Sequence, residues 1–255
     1  MNAKLVTNNI KELIEEVFRP IKSKRGIVRS SRYFSNLSYL ELRTALKEGK
    51  IDLVVDVGAN SGQFYSLLRR QLKYGGKIFS FEPNPGMFNM LQDLKKHDPD
   101  WDIFSFALGA SESTLSFNIY QDSKLSSFLD GTDKNSARFK DKFKIEKSIL
   151  VSVKTLDSFF DERGEMPGVT SVFLKLDTQG FDLEVLKGLR KYKPLVKYIQ
   201  SEISVIPIYD KMPHYTESIN RFEEEGYKMI SLVPVTREKD KGFVIEFDVL
   251  WGRQI

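Results

Sequence analysis

Asp52-Leu-Val-Val-Asp56-Val-Gly58-Ala-Asn60-Ser-Gly62 is the stretch from which the rest of the chain can be read. Its first half is a short apolar run ending in glycine, which suits a buried strand of a parallel sheet turning into a helix. Gly58 permits the tight turn, and Gly62 lets a ligand or a strand come close to the backbone of the helix that follows. The first N–H groups of that helix are expected to be open to a carboxylate. The loop lacks the lysine and hydroxyl residue of a P-loop, and Asn60 stands where a G-x-G-x-x-G loop has its second glycine. It therefore suits a ligand whose charged part is smaller than a pyrophosphate, such as an amino-acid carboxylate.

Strand and helix patterns alternate outward from this point. Residues 61–73 carry Phe64, Leu67, Leu68 and Leu72 on one helical face, and Lys77–Glu82 is the next strand. Pro85 opens a helix with Met87, Met90, Leu91 and Leu94, and Asp102–Ala107 is a third strand. Alternation resumes with a strand over Ser171–Asp177, a helix over 179–191, a strand over Leu195–Ile203 and a helix over Thr216–Glu225 closed by Gly226. Tyr227–Val233 and Phe243–Leu250 form a final hairpin across a charged loop. The prediction is an α/β fold, a doubly wound and mostly parallel sheet that the hairpin makes mixed. Thr114–Tyr120 and Ile149–Lys154 are expected to pair at an edge, with the Ser/Lys/Asp-rich residues 121–148 as a loop or lid.

Two helices are predicted upstream. Ile10, Leu13, Ile14, Val17 and Phe18 recur at helical spacing up to Pro20, and Ser38 with Glu41 has the spacing of a capping box for a helix over 38–47. Residues 1–50 are thus an N-terminal helical extension and 51–255 the main domain. Arg19, Lys22, Lys24, Arg25, Arg29 and Arg32 form a basic run without an acid. It is read as a solvated connection, with peripheral contact to a phosphate, an anionic glycan or a membrane surface as the alternative.

Composition narrows the chemistry. The 255 residues are 41% hydrophobic and 29% charged, with a net charge of +4, too small and dispersed to imply nucleic acid. Cysteine is absent, which excludes thiol nucleophiles, disulfides and cysteine-ligated metals. His97 and His214 are the only histidines, so a multi-histidine metal site is excluded. No apolar run reaches the roughly 20 residues of a membrane span, and Met1-Asn-Ala-Lys4 leads into a charged stretch rather than a secretory signal. The compartment expected by default is the cytoplasm. Oligomeric state is not legible.

Glu82 ends the second strand twenty residues after Gly62. In a doubly wound sheet that position lies beside the glycine loop at the carboxyl edge, where an acid accepts hydrogen bonds from ribose hydroxyls. Together, loop and acid point to a nucleoside site.

These residues, Val55-Asp56-Val-Gly58-Ala-Asn60-Ser-Gly62-Gln-Phe64 followed by Phe81-Glu82-Pro83, resemble a class I S-adenosylmethionine-dependent methyltransferase. Ala107-Leu-Gly109, Ser126-Ser-Phe128, Thr155-Leu-Asp157, Lys175-Leu-Asp177-Thr-Gln-Gly180-Phe-Asp182-Leu-Glu184-Val-Leu-Lys-Gly188 and Gln200-Ser-Glu202 narrow the resemblance to the FkbM family, over roughly residues 52 to 250. The resemblance implies a seven-stranded sheet, S-adenosyl-L-methionine as cofactor, and methyl transfer to a hydroxyl of a sugar, glycan, glycolipid or natural product. It places Asp56, Gly58 and Asn60 at the methionine end and Glu82 at the ribose, with Gly62 also among the cofactor-binding residues. Ser105, Phe106 and Ala107 would flank the adenine, and Pro83 would help shape the pocket.

Asp177 ends the fourth strand of the series, Glu202 lies near the end of the fifth, and His214 follows in a loop; these are the candidates to handle the acceptor hydroxyl. Asp177 has the alternative role of capping the next helix. Lys175 lies on the same side of its strand as Asp177 and can pair with it. A divalent metal, if the reaction uses one, would sit on Asp177 and Glu202. The competing readings are a nucleotide-dependent oxidoreductase, against which Asn60 counts, and a nucleoside-binding module of the same fold without activity.

Overall fold

A computed structural model describes residues 39–132, 143–164, 166–238 and 241–253. The predicted helix over 10–18, the Ser38 cap, the basic 19–32 run and residues 133–142 of the expected lid lie outside the described residues.

The first described helix, α1 (residues 39–48), buries Leu42, Ala45 and Leu46. Strand β1 (Leu53–Val57) is buried throughout, as its unbroken apolar run requires of a central parallel strand. Helix α2 (Gln63–Ser66) runs into a widened turn over Leu67–Gln71. Then come β2 (Lys77–Phe81), α3 (Pro85–Lys95) and β3 (Trp101–Phe104). Pro85 stands in the first turn of α3, and the Asn84 side chain accepts from the Gly86 N–H, so both expected signals for a helix start operate.

Later elements are β7 (Val172–Leu176), α5 (Asp182–Lys187), β8 (Val196–Ser204), α6 (Tyr215–Glu224), β9 (Tyr227–Arg237) and β10 (Val244–Arg253). The large sheet has the order β3-β2-β1-β7-β8-β10-β9. All neighbours are parallel except β10, which runs antiparallel between β8 and β9. The mixed sheet with a terminal hairpin is therefore as predicted. Helix α5 is shorter than the helix expected over 179–191, because Gln179 and Gly180 take positive φ values of 52° and 96° and delay its start.

Between β3 and β7 the chain leaves the sheet. Strands β4 (Ala107–Leu108), β5 (Ser113–Tyr120) and β6 (Ile145–Lys154) form a separate three-stranded sheet, β4-β6-β5, and helix α4 (Leu156–Arg163) returns from it. The third strand expected over 102–107 thus breaks after Phe104, and β5 and β6 pair away from the edge of the main sheet.

Each face of the large sheet has its own core. One packs Leu53, Val55, Phe81, Leu174 and Val249 under Phe159 and Phe160 of α4, Leu186 of α5 and Phe222 of α6. The other packs Val54, Ile78 and Phe173 under Leu46 of α1, Leu68 beside α2 and Leu91 of α3. Trp251 anchors the hairpin to the first core: it is fully buried, donates its indole N–H to Ser201 Oγ at 2.9 Å and stacks on Phe222 with ring centroids 4.7 Å apart. Replacing Trp251 with alanine should cost about 3–5 kcal/mol in chemical denaturation; a loss under about 1 kcal/mol would contradict this packing of β10.

Candidate active site at the carboxyl edge of the sheet

The glycine turn after β1 is pressed against β7. Gly58 has φ 82°, and a Cβ there would run into the carbonyl oxygen of Asp177. The Asp177 N–H donates to Val57 at 3.0 Å, so β1 and β7 stay paired up to the turn. The expectation of open N–H groups is not met over residues 58–62. Gly58 and Ala59 donate to the Phe81 carbonyl, Asn60 to Glu82 Oε2 at 2.6 Å, Ser61 to Asn60 Oδ1 and Gly62 to Ala59. Asn60, at φ 46°, folds the loop down onto β2 and consumes these donors. Gly62 faces α3: a Cβ there would stand 3.0 Å from Leu91, so its small size serves packing.

A cavity of about 430 Å³ opens beside this turn. Gly58, Asn60, Glu82 and Pro83 line one end, and Ala107 with Leu108, Phe117 and Phe128 forms an apolar wall. Asp177, Gln179, Glu202, Thr236 and Glu246 continue along the sheet. Glu82 is 5% exposed, and its Oε1 accepts the Asn84 N–H at 2.8 Å. Burial outweighs the two N–H donors and pushes its carboxyl up to about 7.

Lys175 organises the centre. Its ammonium lies 3.0 Å from Asp177 and 3.5 Å from Asp56, over the Phe64 ring. Burial opposes its charge, but the two carboxylates raise it above the ordinary lysine value. Burial also opposes ionisation of Asp177, yet the charge and hydrogen bond of Lys175, with a hydrogen bond from Gln179, hold that carboxyl below its usual range. Asp56 is fully buried beneath the cavity floor, and burial raises it despite Lys175.

Gln179 Nε2 lies 3.2 Å from both Asp177 Oδ1 and Glu202 Oε2, and so bridges the two carboxylates. Burial, then Glu246 and Asp177, raise Glu202 well above its ordinary value. Asp182 accepts from the Thr178 N–H at 3.0 Å and from its hydroxyl, which pins the turn before α5.

The structure brings Asp177 and Glu202 together but separates other candidates. Asp177 does not cap α5, whose cap residue is Phe181. Ser105 is exposed, and Phe106 packs on Phe81 and Phe159 without lining the cavity, because the chain turns there into the second sheet; of the three residues expected to flank the adenine, only Ala107 lines it. His214 is exposed at the start of α6, bonded to Thr216 Oγ1 at 2.8 Å, and does not line the cavity. Among the described residues no group of three or more His, Asp or Glu side chains is arranged to hold a metal ion.

Sequence reasoning missed Thr236, Ile208 and Glu246. Glu246 alone left a trace: an acid between apolar residues in Val244-Ile-Glu-Phe247 of a strand. The expected lid is tethered over the cavity where it is described. Ser123 Oγ accepts from Asn60 Nδ2 at 3.2 Å, Ser127 Oγ donates to the Gln179 carbonyl at 2.8 Å, and the Tyr209 hydroxyl donates to the Leu125 carbonyl at 2.7 Å.

The sheet order and the single reversed strand are those of the class I methyltransferases. Within that class, the chain belongs to the methyltransferase FkbM domain family, whose model matches residues 56–229. It is 30% identical over 164 residues to the hexuronic acid methyltransferase AglP of Haloferax volcanii, across 64% of this chain and 60% of that protein. The chain thus spans about three fifths of that relative's length. Similar solved structures include methyltransferase FkbM from Methylobacillus flagellatus KT, at 13% identity and TM-score 0.45, covering 96% of this chain and 59% of that one. Another is magnesium protoporphyrin IX methyltransferase from Synechocystis PCC 6803, at 9% identity and TM-score 0.45, covering 100% and 98%. Among the described residues no helix is long and apolar enough to cross a membrane.

The buried carboxyls set a pH dependence. Glu82 and Glu246 are raised to about 7, and Asp182 and Asp248 to about 6, each chiefly by burial. These groups bind protons more tightly when folded than unfolded, so the free protein gains stability as pH falls from about 8 to about 6. Melting followed by tryptophan fluorescence should give a higher Tm at the lower pH, and Glu246→Gln should shrink the difference. A higher Tm at about pH 8 would contradict the burial of these acids.

Proposed function

We propose that the protein is an S-adenosylmethionine-dependent methyltransferase that methylates a hydroxyl of a sugar-type acceptor. The observation that carries this reading is the convergence of Glu82 and Asp177 on one cavity beside the glycine turn of a class I sheet. Family membership supports methyl transfer, and the relative named for a hexuronic acid supports a sugar acceptor.

The residues fit the cofactor. Glu82 is fixed by two backbone N–H groups, and its remaining lone pairs face the cavity as acceptors for a ribose diol. Asn60, Ser123 and Lys124 stand where the amino-acid end would lie. When bound, the cofactor supplies an activated methyl group, so the protein's task is chiefly alignment. Asp177, kept ionised by Lys175, orients the acceptor hydroxyl. Glu202, on the other side of Gln179 and lining the same cavity, is the second carboxyl within reach of that hydroxyl. Gln179 holds both carboxylates in one arrangement.

Titration calorimetry with S-adenosylmethionine and with NAD separates this reading from a dinucleotide-dependent oxidoreductase, since only the first should bind. Acceptor-dependent release of S-adenosylhomocysteine separates it from an inactive binding module. Glu82→Ala should weaken cofactor binding by about 1–3 kcal/mol, the cost of leaving the diol's partners unmade; unchanged affinity would remove Glu82 from the cofactor site. Asp177→Asn should leave cofactor affinity nearly intact and lower turnover on the order of 10²–10⁴-fold. Normal turnover in that variant would reduce Asp177 to a structural partner of Lys175.

A further inference from the structure

The far end of the cavity holds a cluster that neither the glycine turn nor the Asp177 centre uses. Glu246 of β10 is 4% exposed and lines the cavity. Ser204 donates to its Oε1 at 3.3 Å, and Thr236 of β9, its partner in register, also lines the cavity and hydrogen-bonds to it. Ile208, buried after β8, supplies an apolar surface on the same side. Thr236 and Glu246 both lie beyond the residues 56–229 matched by the family model, so family membership assigns them nothing.

Strand order sets the spacing. Asp177 follows β7, Glu202 lies on β8 and Glu246 on β10, so Glu246 stands two strand intervals, about 10 Å, along the sheet from the transfer centre. A six-membered ring held with one hydroxyl at Asp177 extends toward Glu246. Charge then selects among such rings. The two lysines lining the cavity, Lys124 and Lys175, both act on Asp177, whereas the charged groups that act on Glu246 are the acids Asp177 and Asp248, and Glu246 acts in turn on Glu202. Above about pH 7, where Glu246 gives up its proton, a carboxylate on the acceptor at this end meets like charge without a cation among the described residues. A hydroxyl meets two oxygen acceptors and the Thr236 hydroxyl, and an apolar ring face meets Ile208.

We propose that Glu246, Thr236 and Ile208 form an acceptor-recognition subsite that selects a neutral sugar ring with a free hydroxyl over a hexuronate. The proposal rests on the reading of this cavity as a methyl-transfer site and deepens it by naming the charge class of the acceptor.

The test is saturation-transfer NMR on the full chain at about pH 8, where Glu246 is mostly ionised, with methyl glycosides of glucose, galactose, mannose and rhamnose against glucuronate and galacturonate. S-adenosylmethionine affinity is measured on the same samples. At least one neutral glycoside should bind and neither uronate should. Glu246→Gln should weaken that glycoside about tenfold or more, while cofactor affinity stays within about twofold. Thr236→Val, which keeps the side-chain shape, should weaken it about threefold, and it carries the test if Glu246→Gln does not fold. Binding of a uronate as tight as any neutral glycoside, absence of binding by all four glycosides, or unchanged affinity in the folded variants would each overturn the proposal. Loss of cofactor binding by the parent protein would instead overturn the methyltransferase reading.

Discussion

One buried ammonium holds the centre of the molecule together. Lys175 reaches up from the middle of β7 between Asp56 of β1 and Asp177, over the face of Phe64. Taking a lysine and an aspartate out of water costs several kcal/mol per ion, and mutual attraction offsets that only where the geometry is close and polar partners are present. Here Ser80 faces Asp56 Oδ2 at 3.5 Å, and Gln179 bonds Asp177. Without the lysine, Asp56 would be a buried charge with no counter-ion. Its burial between the two central strands therefore ties the order β2-β1-β7-β8 to the chemistry at the sheet's edge.

The cavity takes its two-sided character from two sheets with different tasks. The large sheet ends in acids and an amide: Glu82, Asp177, Gln179, Glu202 and Glu246 in sequence along the edge. The small sheet contributes Ala107, Leu108 and Phe117, and the tethered segment before residue 132 adds Leu125 and Phe128. A ligand with a polar rim and an apolar ring is thereby oriented by contact alone. The polar side is stiff, because Gln179 is itself held through its carbonyl by Ser127 and lies 3.1 Å from the Tyr209 hydroxyl at Oε1. Positioning of this kind is what the proposed methyl transfer would ask of the protein, since its electrophile would arrive already activated.

Much of this was legible in local pattern. An apolar run ending at Gly58, an acid at the end of the next strand and a lysine two residues before Asp177 are short-range features. Their consequences, a buried parallel strand, an acid beside the turn and a same-side ion pair, follow from strand periodicity. The parallel alternation and the reversed hairpin were legible for the same reason. The lining of the cavity was legible where it sits on strand ends close to the glycine turn, at Asn60, Glu82, Asp177 and Glu202.

The rest depended on partners far away in the chain. The apolar character of Asp102–Ala107 does not reveal that Ser105 and Phe106 bend out into a second sheet, since both outcomes bury similar residues. The donors of the glycine turn look open in one dimension and are taken by Phe81 and Glu82 once β2 lies alongside. Glu246 enters the cavity only because β10 slides between β8 and β9 in an antiparallel register that opposes it to Ser204 and Thr236. By itself, then, the sequence determined which elements form and which strand ends carry acids, because propensity and periodicity act over a few residues. Tertiary structure alone decided which of those acids share one cavity, because cross-strand register and the path between sheets are set by packing among residues that the sequence holds far apart.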